Sequence, residues 1–254
     1  MAVHLVHVSK AGGTALRYAI RAARVSAGGQ LESPWGDVRG HDHRFRFVDV
    51  GRGDKAVFAF RDPISRFLSG FYSRLRKGAP RHFSDWTEAE AQSFQWFSTP
   101  QALADALAEP SGETRRRAEF ALQSIWHLNR PMTYWTGKPS YFRRHIDKVV
   151  YVARQETLDD DWERLKELLD LPREQMLPTD DVYAHRTAYM PDDDRTISDK
   201  GVEALRSWYA DDYELLEIAE ELRSGEPRPP RSGLERLVPL SRLVGASPFR
   251  RAAR

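Results

Sequence analysis

The first 75 residues contain two successive units of strand, polar turn and helix. Residues 3–8 are a short β-branched run, the turn at 9–14 carries two glycines, and residues 14–27 repeat apolar side chains at helical spacing. Residues 56–60 are apolar and nearly unbroken, as in a strand covered on both faces, and a helix is predicted to begin at Pro63. Strands that alternate with helices predict an α/β fold with a mostly parallel sheet, in which ligands bind at the carboxyl ends of the strands.

The rest of the chain predicts one more strand and a helix-rich second half. Residues 148–154 are the clearest late strand, so we expect a sheet of about four to five strands. Further helices are predicted after Thr99 and Pro100, over 115–128, over 158–169 and over 200–222. A chain of 254 residues is within reach of a single hydrophobic core. We therefore predict one domain over residues 1–226, followed by a basic Pro- and Arg-rich tail over 227–254.

Composition excludes several classes of site. The chain has no cysteine, which excludes disulfides, iron–sulfur clusters, thiolate zinc sites and a cysteine nucleophile. The eight histidines form no HExxH or comparable ligand spacing, so no metal site is expected. No apolar run reaches the roughly 18 residues that span a bilayer, and the N-terminus lacks the pattern of a signal peptide. We therefore expect a soluble, cytoplasmic protein with no transmembrane segment.

Charge is distributed unevenly along the chain. Residues 1–80 carry 14 Lys and Arg against 6 Asp and Glu, whereas residues 156–226 carry 8 against 22. A basic N-terminal third suits a phosphate-rich ligand, and the acidic later segment would repel a long polyanion. The charge pattern favours local phosphate binding over nucleic acid.

The turn between the first strand and the first helix has the composition of a phosphate-binding loop. It comprises Ser9, Lys10, Ala11, Gly12, Gly13 and Thr14. Glycines let backbone N–H groups approach an anion, and the helix N-terminus adds its positive dipole end. Because Lys10 precedes the glycines, the loop is not a Walker A motif, which argues against an ordinary ATPase or kinase. A plain connecting turn is the alternative interpretation.

A second polar site is predicted where residues 56–60 end. Arg61 leaves the carboxyl end of this strand, where its guanidinium can hold a phosphate through two hydrogen bonds. Ser69 lies nearly two turns into the following helix, on a face that can return toward the strand end. The alternatives are an ion pair between Arg61 and Asp62 and a packing role for Ser69.

HVSKAGGTAL followed about fifty residues later by FAFRDPISRFLSGFY resembles the paired signature of PAPS-dependent sulfotransferases, the group that includes heparan sulfate 2-O-sulfotransferase and bacterial carbohydrate sulfotransferases. The resemblance implies a three-layer core like that of P-loop NTPases. It assigns Arg61 and Ser69 to the 3′-phosphate of the donor 3′-phosphoadenosine 5′-phosphosulfate (PAPS). It assigns the 5′-phosphosulfate to Lys10, Ala11, Gly12, Gly13, Thr14 and Ala15. Weaker similarity extends over about residues 3–222, and Arg186 lies where relatives often carry a basic residue.

The resemblance also implies a general base between the two motifs. His41 matches the Gly-His element of the 2-O-sulfotransferases through its preceding glycine, and we predict that it removes the proton of the acceptor hydroxyl. His43 is the second candidate, with Glu156 or Asp42 next. Lys10 is expected to neutralise charge on the departing phosphate, the work that Mg²⁺ does in kinases, so no metal is required.

The resemblance therefore implies an enzyme that moves a sulfuryl group from PAPS to a hydroxyl acceptor, a sugar or glycan, and releases PAP. The alternatives are a P-loop-like nucleotide kinase and a non-catalytic nucleotide-binding module. The identity of the acceptor, the oligomeric state and the role of the C-terminal tail stay open at this point.

Overall fold

The computed structural model describes residues 1–80, 82–179 and 196–225. Five strands form one sheet in the order β2-β3-β1-β4-β5. The strands are β1 (Ala2–Val6), β2 (Glu32–Ser33), β3 (Gly36–Gly40), β4 (Lys55–Phe60) and β5 (Val149–Arg154). Neighbouring strands are parallel except for the short hairpin of β2 and β3. The predicted α/β class and mostly parallel sheet are confirmed.

Ten α-helices are present in the described part of the chain. They are α1 (Gly13–Ser26), α2 (Pro63–Leu75), α3 (Glu88–Trp96), α4 (Pro100–Leu107), α5 (Glu113–Ser124), α6 (Thr133–Thr136), α7 (Pro139–Arg144), α8 (Leu158–Leu169), α9 (Asp199–Trp208) and α10 (Ala210–Ser224). The single helix predicted over 200–222 is wrong, because the chain turns at the buried Tyr209 between α9 and α10. The helix predicted over 115–128 ends earlier, at Ser124.

Helices cover both faces of the sheet. Because side chains alternate along a strand, Val3 and Leu5 of β1 face α1 and α8, where Trp162 joins the same buried cluster. Phe58 of β4 belongs to a second cluster, which includes Leu215 of α10. The result is a layer of helices, the sheet, and a second layer of helices. A third buried cluster joins α2, α3, α4, α5 and α9 beside the sheet.

The adjacent strands β1 and β4 bring the two sequence motifs together. The strands run parallel with Val6 opposite Phe58, so the segments that follow them leave the same edge of the sheet. The second of these segments enters α2 in the predicted way: Asp62 is the N-cap, its Oδ1 accepts a 2.7 Å hydrogen bond from the Ser65 backbone N–H, and Pro63 is the first helical residue. The loop at 7–12 and the segment at 61–62 are therefore neighbours in space.

Parts of the chain carry predictions that the structure does not address. Residues 227–254, predicted to be a basic tail, and Arg186 both lie outside the described residues. The domain boundary at 226 therefore stays a prediction. Within the described ranges, we find no helix with the length and apolar character needed to cross a membrane.

Candidate active site

A cavity of about 550 Å³ opens at the carboxyl edge of β1 and β4. We call it the strand-end cavity. It is lined by these predicted ligand-binding residues: Lys10, Gly12, Gly13, Thr14, Ala15, Arg61 and Ser69. Ala11 is buried in the core beneath the loop and does not line the cavity. Sites predicted fifty residues apart in the sequence thus share one cavity, which has the size of a small-molecule site.

Helix α1 begins at the wall of this cavity without a side-chain cap. Its N-cap residue, Gly12, has a φ of +85°, a left-handed conformation that glycine adopts at low cost. No acidic residue lies in the first turn of the helix. A Cβ atom on Gly13 would lie 2.4 Å from the His7 ring, so only glycine fits there. The first N–H groups of α1 and its positive dipole end are therefore free of an acidic cap, an arrangement that suits an anion.

Lys10 is held in a strained backbone conformation at the same wall. Its φ is +63°, in the left-handed region that costs a non-glycine residue about 1–3 kcal/mol. Its carbonyl oxygen accepts a 3.4 Å hydrogen bond from Arg61 Nη1, which ties the two motifs together.

Arg61 brings a poorly satisfied guanidinium into the cavity. Among the described residues, its buried Nε atom has no hydrogen-bond partner. Burial lowers the pKa of Arg61 from its ordinary value. The ion pair with Asp62 that the sequence left open is not formed, because the Asp62 carboxylate accepts hydrogen bonds from the Ser65 N–H and the Tyr213 hydroxyl. An anion in the cavity would offset the charge of Arg61.

One face of α2 adds two hydroxyl groups to the cavity. Ser69 lines it, as predicted, and Ser73 lines it one turn further along. The sequence left open a packing role for Ser69, but the close helix contact is made by its neighbour Gly70, where a Cβ would lie 2.9 Å from Leu128. Ser73 was missed in the sequence analysis, although its spacing of four residues from Ser69 places it on the same helix face.

His43 lines the cavity in a defined tautomer. Its Nδ1 atom lies 3.1 Å from the carbonyl oxygen of His7. Because a carbonyl oxygen only accepts, Nδ1 carries the hydrogen and donates the hydrogen bond, which leaves Nε2 as an acceptor. The carbonyl oxygen of His43 itself accepts a 2.9 Å hydrogen bond from Trp135 Nε1. Burial lowers the pKa of His43 from its ordinary value. The ring is therefore neutral near pH 7 and can take up a proton.

His41, the predicted base, lies elsewhere. It lines a second groove, between α1 and β3, and does not line the strand-end cavity. Its Nε2 atom lies 2.8 Å from His4 Nδ1, and its ring stacks on Phe45 with centroids 3.8 Å apart. Burial, with a smaller contribution from His4, lowers the pKa of His41 to about 4. The geometry therefore favours His43 over His41, two residues along the same loop.

Arg66, which was not predicted as a site residue, holds the loops around the cavity in place. It is 2% exposed, and its Nε donates a 3.1 Å hydrogen bond to the carbonyl oxygen of Ser9 in the glycine loop. Its Nη2 donates to the carbonyl oxygens of His127 and Arg130. The buried Asp212 lies close enough to offset its charge. Arg66 thus fixes the glycine loop relative to the opposite wall.

That opposite wall comes from α3 and from the residues after α5. Arg74 and Glu90, both buried, form a bidentate pair with distances of 2.7 and 2.8 Å, and Glu90 also accepts a 3.0 Å hydrogen bond from the Trp126 N–H. His127 lines the cavity with a φ of +76°. Burial lowers its pKa well below the ordinary value. No local sequence pattern marked this wall, since its members are distant in sequence.

The chain matches the model of a known protein family. The model of the sulfotransferase family matches residues 32–218, more than half of the chain. The chain belongs to the sulfotransferase family. The match includes Arg61, Ser69, His43 and Arg66, whereas the glycine loop at 9–14 precedes it. Membership supports sulfuryl transfer as the chemistry of this sulfotransferase, and it confirms the family predicted from the two motifs.

No curated protein and no solved structure matches this sulfotransferase with significance. Among the described residues, no group of three or more His, Asp or Glu side chains is arranged to hold a metal ion. The family implies a donor of the PAPS type.

Proposed function

We propose that this sulfotransferase moves a sulfuryl group from PAPS to a hydroxyl group of a carbohydrate. The observation that carries the proposal is the meeting of the Lys10 loop and Arg61 in one cavity, where a buried guanidinium N–H lacks a partner. The glycine loop lies between β1 and α1 at the edge of a parallel sheet, which supports a P-loop-like role in binding a nucleotide phosphate.

The two motifs divide the phosphates of the donor between them. The N–H groups at the start of α1, the Thr14 hydroxyl and Lys10 hold the 5′-phosphosulfate. Arg61 and Ser69 hold the 3′-phosphate, with Ser73 as a further hydroxyl donor. This division would let the protein discriminate between PAPS and nucleotides that lack a 3′-phosphate, because such nucleotides offer no anion to Arg61.

PAPS supplies an electrophilic sulfur atom and a phosphate leaving group. His43 Nε2 takes the proton of the acceptor hydroxyl while the hydroxyl oxygen bonds to sulfur. Lys10 and the N–H groups of α1 stabilise the charge that develops on the phosphate oxygen as the bond from that oxygen to sulfur breaks. The products are the sulfate ester and PAP, and His43 releases its proton to solvent.

A panel of hydroxyl-bearing acceptors with ³⁵S-labelled PAPS tests the proposal. We expect label to pass to at least one carbohydrate in the panel, and no phosphate to pass from γ-labelled ATP with Mg²⁺ to the same compounds. Transfer from ATP would make the protein a nucleotide kinase. PAPS binding without transfer to any of a broad set of sugars would favour a non-catalytic module.

Arg61→Ala is expected to weaken the binding of PAP by about 10- to 100-fold, because a charge-assisted bidentate contact to the 3′-phosphate is lost. Binding of adenosine 5′-monophosphate should change by less than about threefold, since it has no group for Arg61 to hold. Titration calorimetry measures both affinities. Equal losses for the two nucleotides would show that Arg61 does not bind the 3′-phosphate.

His43→Ala is expected to lower turnover by about 10²- to 10⁴-fold, the usual contribution of a general base. His41→Ala should lower it much less, because His41 lies outside the strand-end cavity. Binding of PAP, measured in parallel, should stay within about threefold in both variants if the loss lies in the chemical step. Loss of turnover in His41→Ala alone would return the role of base to His41.

The pH dependence of kcat/KM gives an independent test of the same assignment. A neutral His43 is the active form, so the rate is constant above its pKa and falls as the pH drops through that pKa. Because burial lowers this pKa, the midpoint of the fall should lie below the ordinary histidine value of about 6.5. The fall should disappear in His43→Gln, and its persistence there would point to another base.

A further inference from the structure

His127 lines the strand-end cavity on the wall opposite the glycine loop, and the proposed mechanism gives it no role. Its Nδ1 atom is buried and has no hydrogen-bond partner among the described residues. Its Nε2 atom also makes no hydrogen bond within that part of the chain, but it is not buried. Because the half-buried ring lines the cavity, Nε2 is the nitrogen that a ligand there can reach.

The hydrogen of the neutral His127 ring belongs on this Nε2 atom. Burial lowers the pKa of His127 well below its ordinary value, so the ring is neutral near pH 7 and carries one hydrogen. In proteins a buried N–H group without an acceptor is rarer than a buried acceptor without a donor, so Nδ1 holds the lone pair. The Nε2–H group is then a neutral hydrogen-bond donor that opens into the cavity.

Contacts from several elements fix the position of His127. Arg66 Nη2 donates a 3.1 Å hydrogen bond to the His127 carbonyl oxygen, and the same guanidinium holds a carbonyl oxygen of the glycine loop. The N–H of the preceding Trp126 donates a 3.0 Å hydrogen bond to Glu90. On α2, a Cβ at Gly70 would lie 3.1 Å from the His127 Cβ, so the glycine lets this segment pack against the helix. The ring is therefore held in place before any ligand binds.

The direction of transfer leaves a place for a group on this opposite wall. In the proposed mechanism the acceptor oxygen approaches at His43, which follows β3, and the phosphate departs at Lys10, which follows β1. As in phosphoryl transfer, the three remaining oxygens point sideways from the line that joins the attacking and leaving oxygens. His127 comes from neither strand end, and both Lys10 and His43 are close enough to affect its pKa.

We propose that His127 is a further catalytic residue, whose Nε2–H group donates a hydrogen bond to an oxygen of the sulfuryl group of PAPS. The inference rests on the proposed function, because it takes the strand-end cavity as the site of sulfuryl transfer. The acceptor oxygen bonds to sulfur, the bond from sulfur to the phosphate oxygen breaks, and the acceptor proton passes to His43. His127 keeps its hydrogen throughout and stabilises the sulfuryl oxygens.

Titration calorimetry with PAPS and with PAP, in the absence of an acceptor, tests this contact, because only PAPS carries the sulfuryl group. His127→Met removes the donor and should bind PAPS about tenfold more weakly, while its affinity for PAP should stay within about threefold of the parent protein. His127→Gln keeps an N–H group at about the distance of Nε2 and should bind both nucleotides within about threefold of the parent protein.

Two further variants control for folding and for the loop. His127→Asn tolerates the positive φ of this position but withdraws its N–H group from the place of Nε2, so it should show the same selective loss for PAPS. Asn129→Ala changes an exposed residue of the same loop that does not line the cavity, and it should match the parent protein. An unchanged affinity for PAP shows that a variant is folded.

Turnover and its pH dependence distinguish a hydrogen-bond donor from a base. With an acceptor found in the panel, His127→Met should lower kcat by about 10²-fold, the effect of removing one preorganised donor. The fall of kcat/KM at low pH, which we assign to His43, should persist in this variant. Disappearance of the fall in His127→Met would make His127 the base and overturn the inference.

Two binding results would also overturn it. An affinity for PAPS that does not change in His127→Met and His127→Asn would show that the ring does not contact the sulfuryl group. Equal losses for PAPS and PAP in both variants would place His127 at a phosphate. These outcomes leave the proposed function standing, because the parent protein still binds both nucleotides. A parent protein that binds neither PAPS nor PAP would refute the proposed function, and the inference with it.

Discussion

Lys10→Ala is expected to lower turnover by about 10²- to 10³-fold, the effect of removing one preorganised group that stabilises charge in the transition state. Lys10 lies at the uncapped start of α1, where the departing phosphate would gain negative charge. The rate is measured as label passing from ³⁵S-labelled PAPS to an acceptor found in the panel, at saturating concentrations of both substrates.

Two control variants separate the ammonium group from other effects. Lys10→Gly removes the strain of the positive φ and should lose turnover to the same extent, which shows that the loss does not come from the backbone. Lys138→Ala removes an exposed lysine outside the cavity and should keep parental turnover. Turnover of Lys10→Ala within about threefold of the parent protein would contradict the assigned role.

Arg66→Ala is expected to lower the free energy of unfolding by about 3–5 kcal/mol, the usual cost of removing one partner of a buried charge pair. Asp212 would lose the cation that offsets its burial, and the carbonyl oxygens of Ser9 and His127 would lose their donor. Urea unfolding measures the change, with the slope m compared between the variant and the parent protein.

The control variant is Arg52→Ala, at an exposed position, whose free energy of unfolding should stay within about 0.5 kcal/mol of that of the parent protein. Arg66→Lys keeps the charge but loses the fork that reaches three carbonyl oxygens, so its stability should lie between those of Arg66→Ala and the parent protein. A loss below about 1 kcal/mol in Arg66→Ala would show that the loops around the cavity are held by other contacts.

The elements around the active site were predictable because their signals are local. The apolar run of β4, the N-cap Asp62 and the first-turn residue Pro63 lie within eight residues of one another, and the structure places the helix start where they predict it. The turn between α9 and α10 is different. It depends on Tyr209, which is buried against a distant part of the chain and whose hydroxyl donates to the carbonyl oxygen of Leu128 at 3.4 Å. Helical periodicity alone does not predict such a contact.

The same distinction applies to the active site. Lys10 and Arg61 follow strands of the predicted parallel sheet, so both were expected at its carboxyl edge, and the structure adds that β1 and β4 are neighbours. The choice between His41 and His43 could not be predicted in this way. The two residues lie in one loop but line different cavities, His43 the strand-end cavity and His41 the second groove, and only the structure shows this. His127 and Glu90 reach the cavity through packing of the helices beyond α2, and neither lies in a recognisable motif.

In the proposed function, the strand-end cavity binds a nucleotide with phosphates at both the 3′ and the 5′ positions. Titration calorimetry of the parent protein with PAP, adenosine 5′-monophosphate and ATP with Mg²⁺ tests it without knowledge of the acceptor. We expect PAP to bind at least about tenfold more tightly than either of the others, and Mg²⁺ to leave the affinity for PAP unchanged. ATP with Mg²⁺ binding as tightly as PAP, or PAP binding no better than adenosine 5′-monophosphate, would contradict it.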